Sequence, residues 1–273
     1  MPQVSVVLST FDQPNAFAFC LTGYQRQTTG DFELIIADDG SDEETRAIVE
    51  RFKQTSPFPI KHVWQPNQGY RKARIANEAV RVSEGRLILL SDGDCIPHRD
   101  FVKAHLEHAR KGGFCAGGYV RLSAAYCRTL TEEKVRAGEY EDQMTLADRR
   151  RFRITHWKSV LGVLLGSIKK PKAYGCNISV DRDVYYAVNG YDENHDGFGK
   201  EDSDLRNRLR RYGAKPVSVW EKAWVYHVDD AIDPKIRRRI PRADGMAYYR
   251  RARVPIRCEN GIVKGPQASV PPP

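Results

Sequence analysis

The sequence predicts an α/β fold, a mostly parallel sheet flanked by helices. Two observations predict it. Strand-like and helix-like segments alternate through the first part of the chain, and the strand-like runs are apolar without polar alternation, as in strands covered on both faces. Polar, mostly acidic clusters then follow these runs directly, at the strand ends where parallel sheets bind ligands.

The elements follow in order. VSVVLS (4–9) reads as a buried strand. A helical stretch, PNAFAFCLTGYQRQ, begins at Pro14, a residue suited to a first helical turn. FELIIA (32–37) is the second strand, and Ser41 with Glu44 three residues on gives a capping-box pattern for the next helix. IKHVW is the third strand, RKARIANEAVRVSEG a third helix ending near Gly85, and RLILL the fourth strand. From about 122 to 172 the pattern becomes helical and highly charged, an insertion beside the sheet with a mobile segment expected near IKKPK. Asp181 is expected to cap a short helix that stops at Gly190. The Gly-rich GYDENHDGFGKED then leads into a helix closed by Gly213, and PVSVW and AWVYHV finish the core as strands. Three segments result: a nucleotide-binding half (1–121), an acceptor-side half of the same domain (122–230) and a basic C-terminal extension (231–273).

Composition narrows the class. The chain has 273 residues and 41% hydrophobic content, enough for a soluble core. No N-terminal charged start precedes a long apolar run, so no signal peptide is expected. SVLGVLLGSI is too short to span a bilayer, which takes about 20 apolar residues. Six cysteines without CxxC spacing argue against a zinc ribbon or a disulfide scaffold and fit a reducing, cytoplasmic setting. Of the net charge of +9, the stretch 231–258 supplies nine Lys or Arg against two Asp, or +7. A tail of that kind suits an anionic membrane surface or acceptor, or is simply solvated.

The acidic clusters carry the chemistry. Ser9-Thr10-Phe11-Asp12, Asp38-Asp39-Gly40 and Asp92-Gly93-Asp94 should meet at one sheet edge. Asp92 and Asp94 repel each other, so a positive group is expected between them. A hard divalent cation, Mn²⁺ or Mg²⁺, held by few carboxylates leaves room for diphosphate oxygens. Glu201-Asp202 opens a helix after a glycine turn, and His227 ends a late strand as a possible third ligand. Each has a plainer reading: Asp-Gly is turn chemistry, acids favour helix N-termini, and His227 or Phe11 could be ordinary core residues. His98, His105 and His108 follow no metal-ligand pattern and read as surface. No G-x-G-x-x-G or G-x-x-x-x-G-K is present, which argues against a common dinucleotide site or P-loop.

With these motifs in order, VSVVLSTFDQ…FELIIADDGSDEET…RLILLSDGDC resembles the nucleotide-binding half of family 2 glycosyltransferases with the GT-A (Rossmann-like) fold. GYDENHDGFGKEDSDLRNRL…YHV resembles the acceptor-side segment of β1,4-galactosyltransferases and chondroitin-polymerase-type enzymes. The resemblance implies an inverting, metal-dependent transferase that uses a UDP-sugar and a saccharide or lipid-linked acceptor, in surface polysaccharide or lipopolysaccharide synthesis. It puts Ser9 and Phe11 on the base, Asp39 on the uracil imide, Arg71 on uracil or diphosphate, with Arg74 as competitor, and Asp92 on ribose or metal. Asp94 and His227 become metal ligands, Asp202 the general base, and Glu201 and Phe198 acceptor contacts. Phe198 stands where the family often has Trp.

The sequence is weighed against three other readings. A sugar nucleotidyltransferase would carry a Gly-rich basic loop after its first strand, and STFDQP is not one. A basic nucleic-acid-binding protein would line its sheet with basic and aromatic residues, whereas this edge is acidic, so no nucleic-acid partner is expected. An inactive GT-A scaffold is disfavoured by intact Asp92, Asp94 and Asp202.

Overall fold

The computed structural model describes residues 1–195, 197, 199–229, 232–233, 248–251 and 254–264. Phe198 and most of 231–273 lie outside the described residues, and with them the acceptor-platform and tail-to-membrane expectations.

The first half alternates as expected: β1 (Val4–Thr10), α1 (Pro14–Gln25), β2 (Phe32–Asp38), α2 (Glu43–Thr55), β3 (Ile60–Trp64), α3 (Lys72–Arg81) and β4 (Leu87–Asp92). Pro14 opens α1 at its first turn. The cap of α2 differs from expectation. Asp42, not Ser41, accepts from the Thr45 N–H, while Ser41 Oγ accepts from the Asp12 N–H at 3.0 Å. Ser41 therefore ties together the loops after β1 and β2.

Runs dominated by Val, Leu and Ile build the centre, with buried Glu33 of β2 paired to Lys61 at 2.8 Å. β1 and β2 are buried almost throughout, because helices cover both faces. β1 pairs in parallel with β2 and β4, with Ser9 opposite both Ala37 and Asp92 and Thr10 opposite Asp38. The three acidic strand ends thus meet at one edge.

The middle of the chain holds elements that the sequence did not reveal: β5 (Cys95–Pro97), α4 (Phe101–His108), β6 (Gly113–Ala116) and β7 (Gly118–Arg121). They are short and lack clear periodicity. The insertion is α5 (Ala124–Cys127), α6 (Glu132–Ala137), a 3-10 turn (Glu139–Gln143) and α7 (Leu146–Leu164). Then come β8 (Ile178–Asp181), α8 (Arg182–Ala187, capped by Asp181), α9 (Glu201–Tyr212), β9 (Lys215–Ser218) and β10 (Trp224–His227). Gly213 closes α9 in the left-handed conformation. The main sheet runs β3-β2-β1-β4-β8-β6-β9, with β8 antiparallel to its neighbours, and β5-β10-β7 form a smaller sheet. Both sheets draw strands from each half of the chain. Among the described residues no helix is long and apolar enough to cross a membrane.

Asn177 and His105 join the two sheets. Asn177 Nδ2 donates to the Gly118 and Ala223 carbonyls at 2.8 and 3.0 Å, and its Oδ1 lies 2.8 Å from His105 Nε2. His105 Nδ1 lies 2.8 Å from Ser179 Oγ. His105 is fully buried, contrary to the surface expectation, and burial lowers its pKa to about 4, so the ring is neutral. A side chain of that polarity is admitted to the core because both ring nitrogens are paired.

Asn177→Ala strands two buried carbonyls and one ring nitrogen. Urea unfolding should show a loss of roughly 2–4 kcal/mol, and a change within error would mean that the junction is not structural.

Candidate active site

The carboxyl ends of β1, β2 and β4, the start of α3, β7, the turn before β8, the start of α9 and the end of β10 enclose a cleft of about 370 Å³. It is lined by Ser9, Phe11, Asp39, Asp92, Asp94, Glu201, Asp202 and His227, so eight of the ten sequence-predicted site residues converge there. The two exceptions are Arg71 and Phe198. Phe198 lies outside the described residues. Arg71 turns its guanidinium outward to Gln68 Oε1 at 2.9 Å and to the Pro66 carbonyl, and Arg74 is exposed.

The positive side chain that pairs with Asp92 is Lys72, not a group between Asp92 and Asp94. Its Nζ lies 2.6 Å from Asp92 Oδ1. Burial opposes its charge, but the carboxylates of Asp92 and Asp202 outweigh burial and hold the ammonium well above its usual range. The sequence contained a signal for this choice. Lys72 shares a helix face with Ile75 and Ala76, which are buried, whereas Arg74 faces solvent. Other cleft residues went unnoticed in the sequence: Tyr70, Tyr119, Arg121, Tyr174 and Gly175.

The paired acids of the second strand end divide their work. Asp38 is buried and accepts from the Gly40 and Ser41 N–H groups, with His62 Nε2 at 3.0 Å. Asp39 faces the cleft, where Gln65 Nε2 donates to Oδ1 at 2.6 Å and the Arg71 N–H donates to Oδ2 at 2.7 Å. Arg71 thus reaches Asp39 through its backbone. Burial raises the Asp39 pKa despite these two donors. Each oxygen retains a second lone pair.

Asp94, Cys95 and His227 form the group among the described residues whose ligand atoms lie close enough to hold a metal, all within 4.8 Å of one another. Register explains the meeting: β10 pairs antiparallel with β5, setting His227 opposite Cys95. His227 Nε2 lies 3.5 Å from Asp94 Oδ2, and its Nδ1 is buried with no hydrogen-bond partner. Cys95 Sγ donates to Asp94 Oδ1 at 3.2 Å.

Glu201 and Asp202 start α9 after Gly199 and Lys200, both in the left-handed region, where the helix dipole favours acids. The dipole reading and the site reading hold together. Asp202 Oδ1 accepts from Tyr191 OH at 2.7 Å. A Cβ on Gly175 would stand 2.4 Å from either Asp202 oxygen, so only glycine leaves that carboxylate its place. Glu201 is buried; Tyr70 OH donates to its Oε1 at 3.0 Å, and its Oε2 has no hydrogen-bond partner. Burial first, then the neighbouring Asp202 charge, raises the Glu201 pKa to about 7.

The cleft gathers acids and one lysine at the strand ends of an α/β sheet. Residues 5–170 match glycosyl transferase family 2, and the chain belongs to that family. Residues 163–229 match the family described as N-terminal domain of galactosyltransferase. Over 238 residues the chain is 28% identical to a validoxylamine A glucosyltransferase of Streptomyces hygroscopicus subsp. jinggangensis, covering 82% of this chain and 55% of that one. It is 26% identical over 242 residues to the chondroitin synthase of Escherichia coli, covering 82% of this chain and 34% of that one. The chain thus spans about half the length, or less, of these curated relatives. The fold is similar to that of a mannosyltransferase from Pyrobaculum calidifontis solved with GDP-Man and Mn²⁺ (TM-score 0.60, 17% identity, 93% of this chain and 66% of that one). It is also similar to S. aureus TarS solved with UDP-GlcNAc (TM-score 0.55, 15% identity, 84% of this chain and 59% of that one).

The raised Glu201 pKa has a stability consequence with a definite sign. The folded state holds this proton up to about 7, whereas an ordinary glutamate loses it near 4.5, so stability falls as pH rises between those values. Glu201→Gln removes the cost of ionisation. Its Tm should exceed the wild-type Tm at pH above about 7 by more than it does at pH near 4.5. An equal difference at both would contradict the raised pKa.

Proposed function

We propose that the protein transfers a sugar from a UDP-sugar to a hydroxyl of a saccharide or lipid-linked saccharide, with inversion at the anomeric carbon. The observation that carries this reading is the juxtaposition, in one cleft, of the Asp39 edge, the Lys72-Asp92 ion pair, the Asp94-His227 pair and the Glu201-Asp202 pair. Ser9 and Phe11 take the base, and a free lone pair on Asp39 accepts from the uracil imide N–H. Asp92 takes the ribose or the metal. Lys72 stands near enough to Asp92 to share its charge with an incoming diphosphate. Arg71 shapes the base site through its backbone N–H.

The residues present fit a divalent cation. Asp94 and His227 are the hard and borderline donors suited to Mn²⁺ or Mg²⁺, and His227 Nε2, 3.5 Å from Asp94 Oδ2, is the ring nitrogen placed to share a ligand with that carboxylate. When bound, such an ion stabilises negative charge on the departing diphosphate. Asp202 receives the acceptor hydroxyl's proton; Tyr191 fixes Oδ1 and leaves Oδ2 for it. Glu201, protonated up to about 7, offers the acceptor a hydrogen bond without adding a full second charge beside Asp202. A single base and in-line attack give inversion. Phe198 remains the proposed acceptor platform. The proposal keeps a cytoplasmic location, which suits six free cysteines, and a role in surface polysaccharide or lipopolysaccharide synthesis.

UDP release measured across a panel of UDP-sugars, with Mn²⁺ and with EDTA, tests the reading; no release from any of them would reject it. Asp94→Ala should abolish turnover and weaken Mn²⁺-dependent UDP binding, and activity unchanged in EDTA would remove the metal from the mechanism. In Asp202→Asn, UDP binding should persist while transfer falls by about 10²-fold or more. Near-normal transfer would reduce Asp202 to a helix-terminus charge.

A further inference from the structure

Helix α7 is apolar on two opposite faces. One face packs inward: Phe152 is buried, meets the Trp220 ring edge-on at 5.5 Å and stacks on Trp224 at 6.5 Å, while His156 Nδ1 lies 3.1 Å from Ser218 Oγ. The other face points to solvent. Leu146, Trp157, Leu161 and Leu164 are 85%, 62%, 58% and 78% exposed. With Ile154 they fall within an arc of about 100° on the helix. Large apolar side chains in a contiguous stripe mark an interaction surface rather than scattered surface residues. Nothing in the proposed transfer reaction uses it.

The surrounding charge identifies the partner. Residues 146–172 carry eight Lys or Arg and one Asp. The lone Asp148 is committed to the capping box with Thr145 and to Arg151 at 2.9 Å. Arg153 and Lys158 border the apolar stripe on its two sides, and Arg150 lies within it, long enough to lift its charge outward. A second copy docking through the same face would oppose this excess of positive charge with its own. An anionic bilayer answers both features: leucines and isoleucine enter the headgroup–acyl boundary, a tryptophan sits at its level, and basic residues meet lipid phosphates.

We propose that the exposed face of α7 docks the protein on an anionic phospholipid surface, lying in the interface without spanning it. The docked face is linked to the cleft. Arg151 donates to the Tyr119 carbonyl at 3.1 Å, and the loop after α7, held where Trp220 Nε1 donates to the Lys172 carbonyl at 2.9 Å, runs into Tyr174 and Gly175 of the cleft wall. The docking stands independently of the transfer reaction.

Flotation of the full chain tests it, using vesicles of phosphatidylglycerol with phosphatidylcholine and vesicles of phosphatidylcholine alone. The wild type should float with the anionic vesicles and detach as salt rises. The combined Trp157→Glu, Leu161→Glu and Leu164→Glu variant changes exposed side chains only, so its thermal unfolding should match the wild type while its bound fraction falls by about tenfold or more. Trp157 emission should shift to the blue on anionic vesicles, and Trp157→Phe should abolish that shift. Equal flotation of variant and wild type would assign the contact elsewhere in the chain. Failure of the wild type to float would overturn the proposal, as would self-association or binding of an acidic protein that the variant loses without any vesicle binding.

Discussion

The ion pair between Lys72 and Asp92 is the interaction on which the cleft depends. Five carboxylates, those of Asp39, Asp92, Asp94, Glu201 and Asp202, line the cleft, and Lys72 is the basic side chain paired with one of them. Without it, burial and mutual repulsion would drive protons onto these acids. With it, the edge remains acidic but incompletely neutralised, a state suited to a divalent cation and to a donor that brings its own charge. Burial, and after it the neighbouring Asp202 charge, holds the Glu201 pKa raised.

Helix α3 organises this balance from one side. Lys72 stands at its first position, and Asn77 lies further along the same helix. Asn77 Oδ1 accepts from Tyr185 OH and from the Tyr191 N–H, and its Nδ2 donates to the Tyr191 carbonyl. Tyr191 in turn holds Asp202. One helix therefore places both the cation of the donor side and, through a tyrosine, the carboxylate proposed as base. From the other side, buried Arg208 pairs with Asp204 at 2.7 Å and caps the Val188 and Gly190 carbonyls, fixing α9 against the core. A buried arginine is tolerable because its charge is paired and each of its three nitrogens donates a hydrogen bond.

The parallel half of the fold was legible because it is built from long apolar runs punctuated by acids. Ser9, Phe11, Asp39, Asp92 and Asp94 follow directly from that pattern, since a strand end fixes where its next side chains stand. The short strands were not legible: β5 and β7 of the smaller sheet and β6 of the main one are three or four residues long, and Asn177 and His105, which join the two sheets, carry no local signature. His105 looked like surface because polarity suggests solvent, while tertiary hydrogen bonds decided otherwise. The resemblance implies Arg71, with Arg74 as competitor, and leaves Lys72 unremarked; the helical phase of α3 puts Lys72 in the cleft. Asp42 displaced Ser41 as cap because the Ser41 hydroxyl is used by Asp12. The wall residues Tyr174 and Gly175 owe their position to the turn before β8, which no sequence period announces.

The claim at the centre is that this under-neutralised acidic edge takes a divalent cation together with a nucleoside diphosphate. Thermal unfolding of the wild-type chain with Mn²⁺, with UDP, and with both tests it most directly. The proposed function predicts that Tm rises more with the two together than the separate rises sum to, because each ligand completes the other's site. UDP that stabilises the chain equally in EDTA, with Mn²⁺ adding nothing, would contradict it.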